Sequence, residues 1–133
     1  MRPGLKDFLN ETSKHFELIL FNNGSQLYTD AVVDKLIHTL GVTHSQHYFS
    51  HVLCREQCST NDKGHEIKNL EFFTGDESNR DIKDCIIVDN SIFCYQRNIT
   101  NGLFVPNYNF MDKNDEWLKL LAKYLIERFT QGN

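Results

Sequence analysis

The chain has 133 residues, enough for one domain with its own core and too few for two. Its composition, 40% hydrophobic and 24% charged, is that of a globular protein, and no apolar run approaches the roughly 20 residues needed to cross a bilayer. A formal net charge of -4 argues against nucleic acid as the main partner, because phosphate backbones are bound by basic surfaces.

In chain order, Met1-Arg2-Pro3-Gly4-Leu5-Lys6 lacks the apolar stretch of a signal peptide. Leu5, Phe8 and Leu9 then fall on one face of a short amphipathic helix. Glu17 to Phe21 reads as a buried strand, stopped by the turn signal Asn22-Asn23-Gly24-Ser25. From Gln26 to Leu40 the apolar positions Leu27, Ala31, Val32, Leu36, Ile37 and Leu40 are helical, and Gly41 stands where a helix end favours glycine. Tyr48 to Leu53 predicts a second strand. The polar stretch Glu56 to Glu66 suggests a small hairpin insertion, after which Ile67-Lys68-Asn69-Leu70 re-enters the fold.

A polar loop follows over Glu71 to Arg80, with Gly75-Asp76 as its turn. Cys85-Ile86-Ile87-Val88 is apolar and ends abruptly in Asp89-Asn90-Ser91: a buried strand carrying its polar residues to the lip of a sheet, or one capped by an Asx turn. A loop leads to Asn101-Gly102, and Leu103 to Val105 forms a last strand stopped by Pro106. Asn114 to Phe129 is a strong amphipathic helix, with Asp112 or Asn114 as its N-cap. Strand and helix alternate, so the expected fold is α/β with a mainly parallel sheet and flanking helices, residues 1–133 forming a single domain.

Cys54 and Cys58, with His51 and His65 nearby in sequence, are residue types that ligate zinc, but the paired C-x-x-C knuckles of a structural zinc site are missing. Cys85 reads as a small core residue. Nothing points to export, so reduced thiols and unused sequons at Asn10, Asn23 and Asn98 are expected.

The strand ends gather a constellation. One delivers Asn22 and Asn23, another Asp89 and Asn90, while Lys68 lies on the re-entry and Arg55 just past the Tyr48–Leu53 strand. Two cations, an acid and several amides at one sheet edge are the chemistry of a phosphate-and-metal pocket: cations neutralise phosphoryl oxygens, and a carboxylate holds a hard cation.

These residues resemble a known family. Arg2-Pro3-Gly4-Leu5-x-x-Phe8-Leu9, the strand ending Leu20-Phe21, Tyr28-x-Asp30, Cys54-Arg55-Glu56-Gln57-Cys58, Ile67-Lys68-Asn69-Leu70 and Val88-Asp89-Asn90-Ser91 are similar, in order, to motifs of the phosphatase domain that acts on the C-terminal tail of RNA polymerase II. That domain belongs to the haloacid-dehalogenase superfamily, in a branch with small nuclear phosphatases, a nuclear-envelope phosphatase and the receptor subunit of the mitochondrial inner-membrane translocase. The resemblance covers essentially the whole chain. It implies a Rossmann-like fold and a magnesium-dependent phosphoserine/phosphothreonine phosphatase. Lys68 would neutralise the phosphoryl group, Asp89 would hold Mg²⁺ beside Asn90, and Arg55 and Tyr28 would contact substrate.

Two departures qualify it. The family's reaction begins at an Asp-x-Asp-x-Thr strand ahead of the Arg-Pro-Gly segment, and no Asp-x-Asp occurs in this sequence. Asn22 stands where active members carry threonine or serine. The expectation is therefore a domain without its first strand and without the attacking carboxylate, inactive alone, with a non-catalytic protein-binding relative of the translocase receptor as the alternative. The absent strand is central in the resembled fold. Its neighbours would pair directly or take a strand from another copy or partner, unless a longer parent sequence supplies it, so self-association is a possible outcome. The expected partner is a phosphoprotein or another protein, and the expected location is nucleus or cytoplasm, with the mitochondrion as alternative.

Overall fold

A computed structural model describes residues 1–75 and 77–130. The chain divides into two units, one comprising Met1–Leu20, Asp30–Val52 and the described residues from Tyr108 onward, the other Phe21–Thr29 and Leu53–Asn107.

In the first unit, helix α1 (Leu5–Thr12) starts from Gly4, which caps it in the left-handed conformation at φ +82°. Leu9 and Thr12 are its buried face, and the Thr12 hydroxyl returns to the Phe8 carbonyl at 2.7 Å. Strand β1 (Leu18–Phe21) pairs with β2 (Phe49–Leu53), and the last residue of each, Phe21 and Leu53, counts with the second unit. Between them runs α2 (Gln26–Leu40). Gly41 ends it as the sequence predicts: at φ +71° its N–H reaches the Ile37 carbonyl at 3.0 Å, a conformation that costs any other residue steric energy.

Leu9, Leu40, Tyr48 and Phe49 form this unit's core, with Leu18, Leu20 and Leu36 packed against them. The Tyr48 hydroxyl, which burial would otherwise leave unsatisfied, bonds to the Asn10 side chain. The final helix, α3, covers Trp117–Phe129 and buries Leu121, Ala122 and Leu125. It begins later than the apolar pattern suggests, and neither expected cap serves it. Asp112 accepts the Asn114 N–H instead, while Asp115 Oδ1 takes the Trp117 N–H at 3.1 Å. Closely spaced turn-forming side chains over 112–115 satisfy the backbone locally, so the helix cannot propagate until Trp117.

In the second unit, the hairpin is present: β3 (Ser59–Thr60) and β4 (Glu66–Ile67) are antiparallel, with Ser59 opposite Ile67 and Thr60 opposite Glu66. Strand β5 (Ile87–Asp89) pairs in parallel with β6 (Gly102–Phe104), aligning Asp89 with Phe104. The segment joining them is not open loop. Ile92–Asn101 is wound into 3-10 turns, interrupted where Tyr95 and Asn98 leave helical backbone angles. Asn101 anchors its end by donating to the carbonyls of Ile82 and Cys85 at 2.8 and 2.9 Å. Leu70, Ile87 and Tyr95 form this unit's core, with Phe73, Ile82 and Cys85 against it. Of the expected Gly75-Asp76 turn, Gly75 has φ +120°, and Asp76 lies outside the described residues.

The architecture is α/β, as the alternation of elements implies. Its strands form three two-stranded ladders among the described residues, β1 with β2, β3 with β4 and β5 with β6. Among the described residues, β1 and β5, expected to flank the absent strand, each pair with another strand, β1 with β2 and β5 with β6.

Candidate functional site

Every residue singled out for phosphate chemistry lies in the second unit. Asp89 is the last residue of β5, and its carbonyl accepts the Val105 N–H at 3.1 Å, which fixes where the strand ends. Its side chain has two separate engagements. Oδ1 accepts the Ser91 N–H at 2.9 Å, forming the Asx turn, and Oδ2 receives Lys68 Nζ at 2.5 Å.

Lys68 directly follows β4, and its N–H is held by the Cys94 carbonyl at 2.8 Å. The pair is well removed from water, with side-chain exposures of 11% for Lys68 and 9% for Asp89. Charges desolvated to that degree persist only when matched, and here each matches the other. The Lys68 ammonium also lies over the Phe21 ring, 5.6 Å from its centre.

A second group of residues surrounds the turn after β1. The Asn22 N–H continues the strand pairing to the Leu53 carbonyl at 2.9 Å, and its Oδ1 closes a tight turn on the Gly24 N–H at 2.6 Å. Tyr28 is exposed, and its N–H rests on the Ser25 hydroxyl at 3.2 Å. Its ring passes so close to Gly24 that a Cβ there would stand 2.6 Å from Tyr28 Cδ1 and 2.8 Å from Asn22 Oδ1. Glycine is required for that approach, not for a positive φ. Arg55 ties into the same turn: its N–H meets the Gly24 carbonyl at 2.9 Å, and Nε donates to the Asn23 carbonyl at 3.1 Å with Glu66 Oε1 at 3.5 Å. Asn90 is exposed and donates its amide to Asn107. Lys68 and Asp89 are thus in contact, Asn22, Tyr28 and Arg55 share one turn, and Phe21 joins the two groups as the neighbour of Asn22.

Comparison with known proteins places the chain in a family. The family model for the NLI interacting factor-like phosphatase matches residues 1–131. The chain belongs to the NLI interacting factor-like phosphatase family. Among its relatives is the mitochondrial import inner membrane translocase subunit TIM50 of Candida albicans, 32% identical over 130 residues, which are 98% of this chain and 25% of that protein. A probable C-terminal domain small phosphatase of Dictyostelium discoideum is 36% identical over 121 residues, 90% of this chain and 35% of that protein. The CTD nuclear envelope phosphatase 1 of Xenopus tropicalis is 31% identical over 130 residues, 97% of this chain and 48% of that protein. The chain thus spans between a quarter and about half of these relatives' lengths.

The family suggests a divalent metal, and the residues present meet that need only in part. Magnesium prefers an octahedron of hard oxygens with one or two carboxylates. Asp89 offers one carboxylate, with both oxygens already engaged, and Asn90 one amide oxygen. Among the described residues no three His, Cys, Asp or Glu side chains converge on a point where a metal would sit. This set alone does not make a magnesium site. Of the residues considered for zinc, Cys54 Sγ donates to Gln26 Oε1 at 3.3 Å, and His65 Nδ1 lies 3.2 Å from Asn61 Nδ2.

Sequence reasoning missed the groups that surround Lys68 and Asn90. Phe21 reads as an ordinary strand residue, and the roles of the Cys94 carbonyl and of Asn107 leave no trace in residue type. Cys94 is buried, and burial followed by the Asp89 charge pushes its thiol pKa up. Cys58 is pushed up to about 11, by burial first and by Glu66 second, with Lys68 pulling the other way. Both thiols stay protonated and unreactive at neutral pH.

Proposed function

We propose that residues 1–133 act as one phosphate-handling domain of a protein serine/threonine phosphatase. Lys68 is the cation that meets the phosphoryl group, and Arg55 and Tyr28 lie on the substrate side. The observation that carries this is the Lys68–Asp89 contact at the end of β5, a buried lysine and acid held in register by the Cys94 carbonyl and the Asx turn. The substrate class is a phosphoprotein. Asp89, with Asn90 beside it, would offer one carboxylate toward a divalent cation, which this set of residues does not hold by itself. The attacking aspartate has no counterpart in the sequence, which contains no Asp-x-Asp.

The test is to fuse a strand bearing Asp-x-Asp-x-Thr ahead of Arg2 and assay a chromogenic phosphate ester with Mg²⁺. Turnover that disappears in Lys68→Ala supports the proposal, and turnover at the buffer rate overturns it.

One observation favours a second reading, a non-catalytic protein-binding relative. In this structure Lys68 and Asp89 neutralise each other, and Asn22 Oδ1 is tied into a turn, so little net charge is presented to an incoming phosphate. On that reading the domain binds a peptide whether or not it is phosphorylated, and a Lys68→Ala/Asp89→Ala double substitution leaves affinity unchanged. Fluorescence anisotropy with paired phosphoserine and serine peptides separates the two. The phosphatase reading places the protein in nucleus or cytoplasm and the second in the mitochondrion, and sedimentation would reveal any self-association through an unpaired strand edge.

A further inference from the structure

We propose that Phe21 is a positioning residue for Lys68, its ring face holding the lysine ammonium in place at the rim of β5. The inference rests on the reading of Lys68 as the phosphate-binding cation. Lys68 Nζ lies 5.6 Å from the centre of the Phe21 ring, within the range where an ammonium is drawn to the negative face of an aromatic. Desolvation strengthens that attraction, and the lysine side chain is only 11% exposed.

A lysine ammonium on its four-carbon stem has many positions and three N–H donors. Asp89 fixes one direction and consumes one donor. The Phe21 face fixes a second direction and requires no directed N–H bond, leaving donors for phosphoryl oxygens. Asp89 also accepts the Ser91 N–H, so the acid is a shared anchor. The neutral Phe21 ring adds a second hold on the cation that makes no demand on either Asp89 oxygen. Simple packing would ask only for an apolar side chain of similar size at the end of β1. The ring is needed only if its electrons matter.

Three variants separate these cases: Phe21→Tyr keeps the ring, Phe21→Leu keeps the apolar bulk without it, and Lys68→Arg identifies the Lys68 signal. In lysine-labelled protein the Lys68 Hε protons should resonate upfield of the other lysines, shielded by the ring. They should remain there in Phe21→Tyr and return to the common position in Phe21→Leu. In a parallel titration with orthophosphate, Phe21→Leu should bind about two- to fivefold more weakly, with Phe21→Tyr close to the wild type. Lys68 protons at the common position in the wild-type protein, or equal losses in both Phe21 variants, would overturn the proposal. Should Phe21→Leu fail to fold, the wild-type and Phe21→Tyr spectra still decide it. A displaced Lys68 signal with no orthophosphate binding would keep Phe21 as the lysine's support and refute the phosphate-handling reading instead.

Discussion

Arg2 grips Asp115 with two arms, Nε at 3.0 Å from Oδ1 and Nη2 at 3.0 Å from Oδ2. The same Oδ1 takes the Trp117 N–H, so one arginine ties the residues before α1 to the start of α3. The arginine of the Arg-Pro-Gly segment thus fastens two segments of the first unit together. The Arg2 bonds, with help from the Trp117 N–H, hold the Asp115 carboxyl below the usual carboxylate range against the opposing effect of burial. A folded pKa below the unfolded value makes the contribution complete above about pH 4 and lost as pH falls through the folded value. Asp115→Asn should therefore melt at lower temperature than the wild type at pH 7, with the gap narrowing below about pH 4. A gap independent of pH would show that the clamp is not electrostatic.

The Lys68–Asp89 pair should be expensive to break on one side only. Lys68→Met leaves a desolvated carboxylate with no cation, and Asp89→Leu leaves a desolvated ammonium. Each single change should cost about 3–5 kcal/mol, and the double variant should be markedly less destabilised than the sum. Urea denaturation of the three proteins measures this. Additive costs would mean that the 2.5 Å contact contributes no coupling.

How much of this was legible before the structure depends on where each residue's partners lie. The bounds of α2 and its glycine stop, the hairpin insertion and the β5 ending all follow from periodicity and turn chemistry, which are local. The start of α3 was misplaced because Asp112, Asn114 and Asp115 are all plausible caps by type, and only the pairing of Asp115 with Arg2 decides among them. At the site, the acid-amide-hydroxyl run after Val88 singled out Asp89 and the resemblance singled out Lys68, and the two side chains are in contact. Phe21 and the Cys94 carbonyl were invisible, one because its apolar type suggests only core, the other because backbone groups carry no sequence signal.

Raised thiol pKa values predict a loss of stability in alkali. Cys58 goes from an ordinary value of 9.0 to about 11 in the folded protein, and burial moves Cys94 in the same direction. The folded state then retains protons that the unfolded chain releases, so stability is intact below pH 9 and declines as pH rises from 9 through about 11. Cys58→Ala should flatten part of that decline in melts recorded from pH 8 to 11.5. Iodoacetamide should label Cys58 slowly at pH 7.5 and faster as pH approaches 11.

Gly102, the first residue of β6, lies against the Tyr95 ring so tightly that an added Cβ would fall 2.2 Å from Tyr95 Cδ2. Tyr95 is a buried core residue packed with Leu70 and Ile87, so it has no open space to yield into. Gly102→Ala should destabilise by about 1–3 kcal/mol, the typical cost of overpacking, or more if the β5–β6 pairing is lost. Far-UV circular dichroism with urea titration reads both the fold and the cost. An alanine variant as stable as the wild type would show that the ring and strand are not in contact.

Thr29 presents the opposite case, a side chain whose replacement should help. It is fully buried at 0% exposure in the first turn of α2, and its hydroxyl has no hydrogen-bond partner among the described residues. Its backbone N–H is satisfied by the Ser25 carbonyl at 2.9 Å, so the unmet demand belongs to the side chain alone. A hydroxyl taken out of water without a partner costs about 1–3 kcal/mol, and valine fills nearly the same shape without that demand. Thr29→Val should raise the unfolding free energy by about 1 kcal/mol in urea titration, since some of the penalty is already relieved by local relaxation. Thr29→Ser, which keeps the hydroxyl and removes a methyl group, should lower it. Destabilisation by valine would mean that the hydroxyl is satisfied in solution, by a buried water or by a ligand at the turn where Asn22, Arg55 and Tyr28 gather.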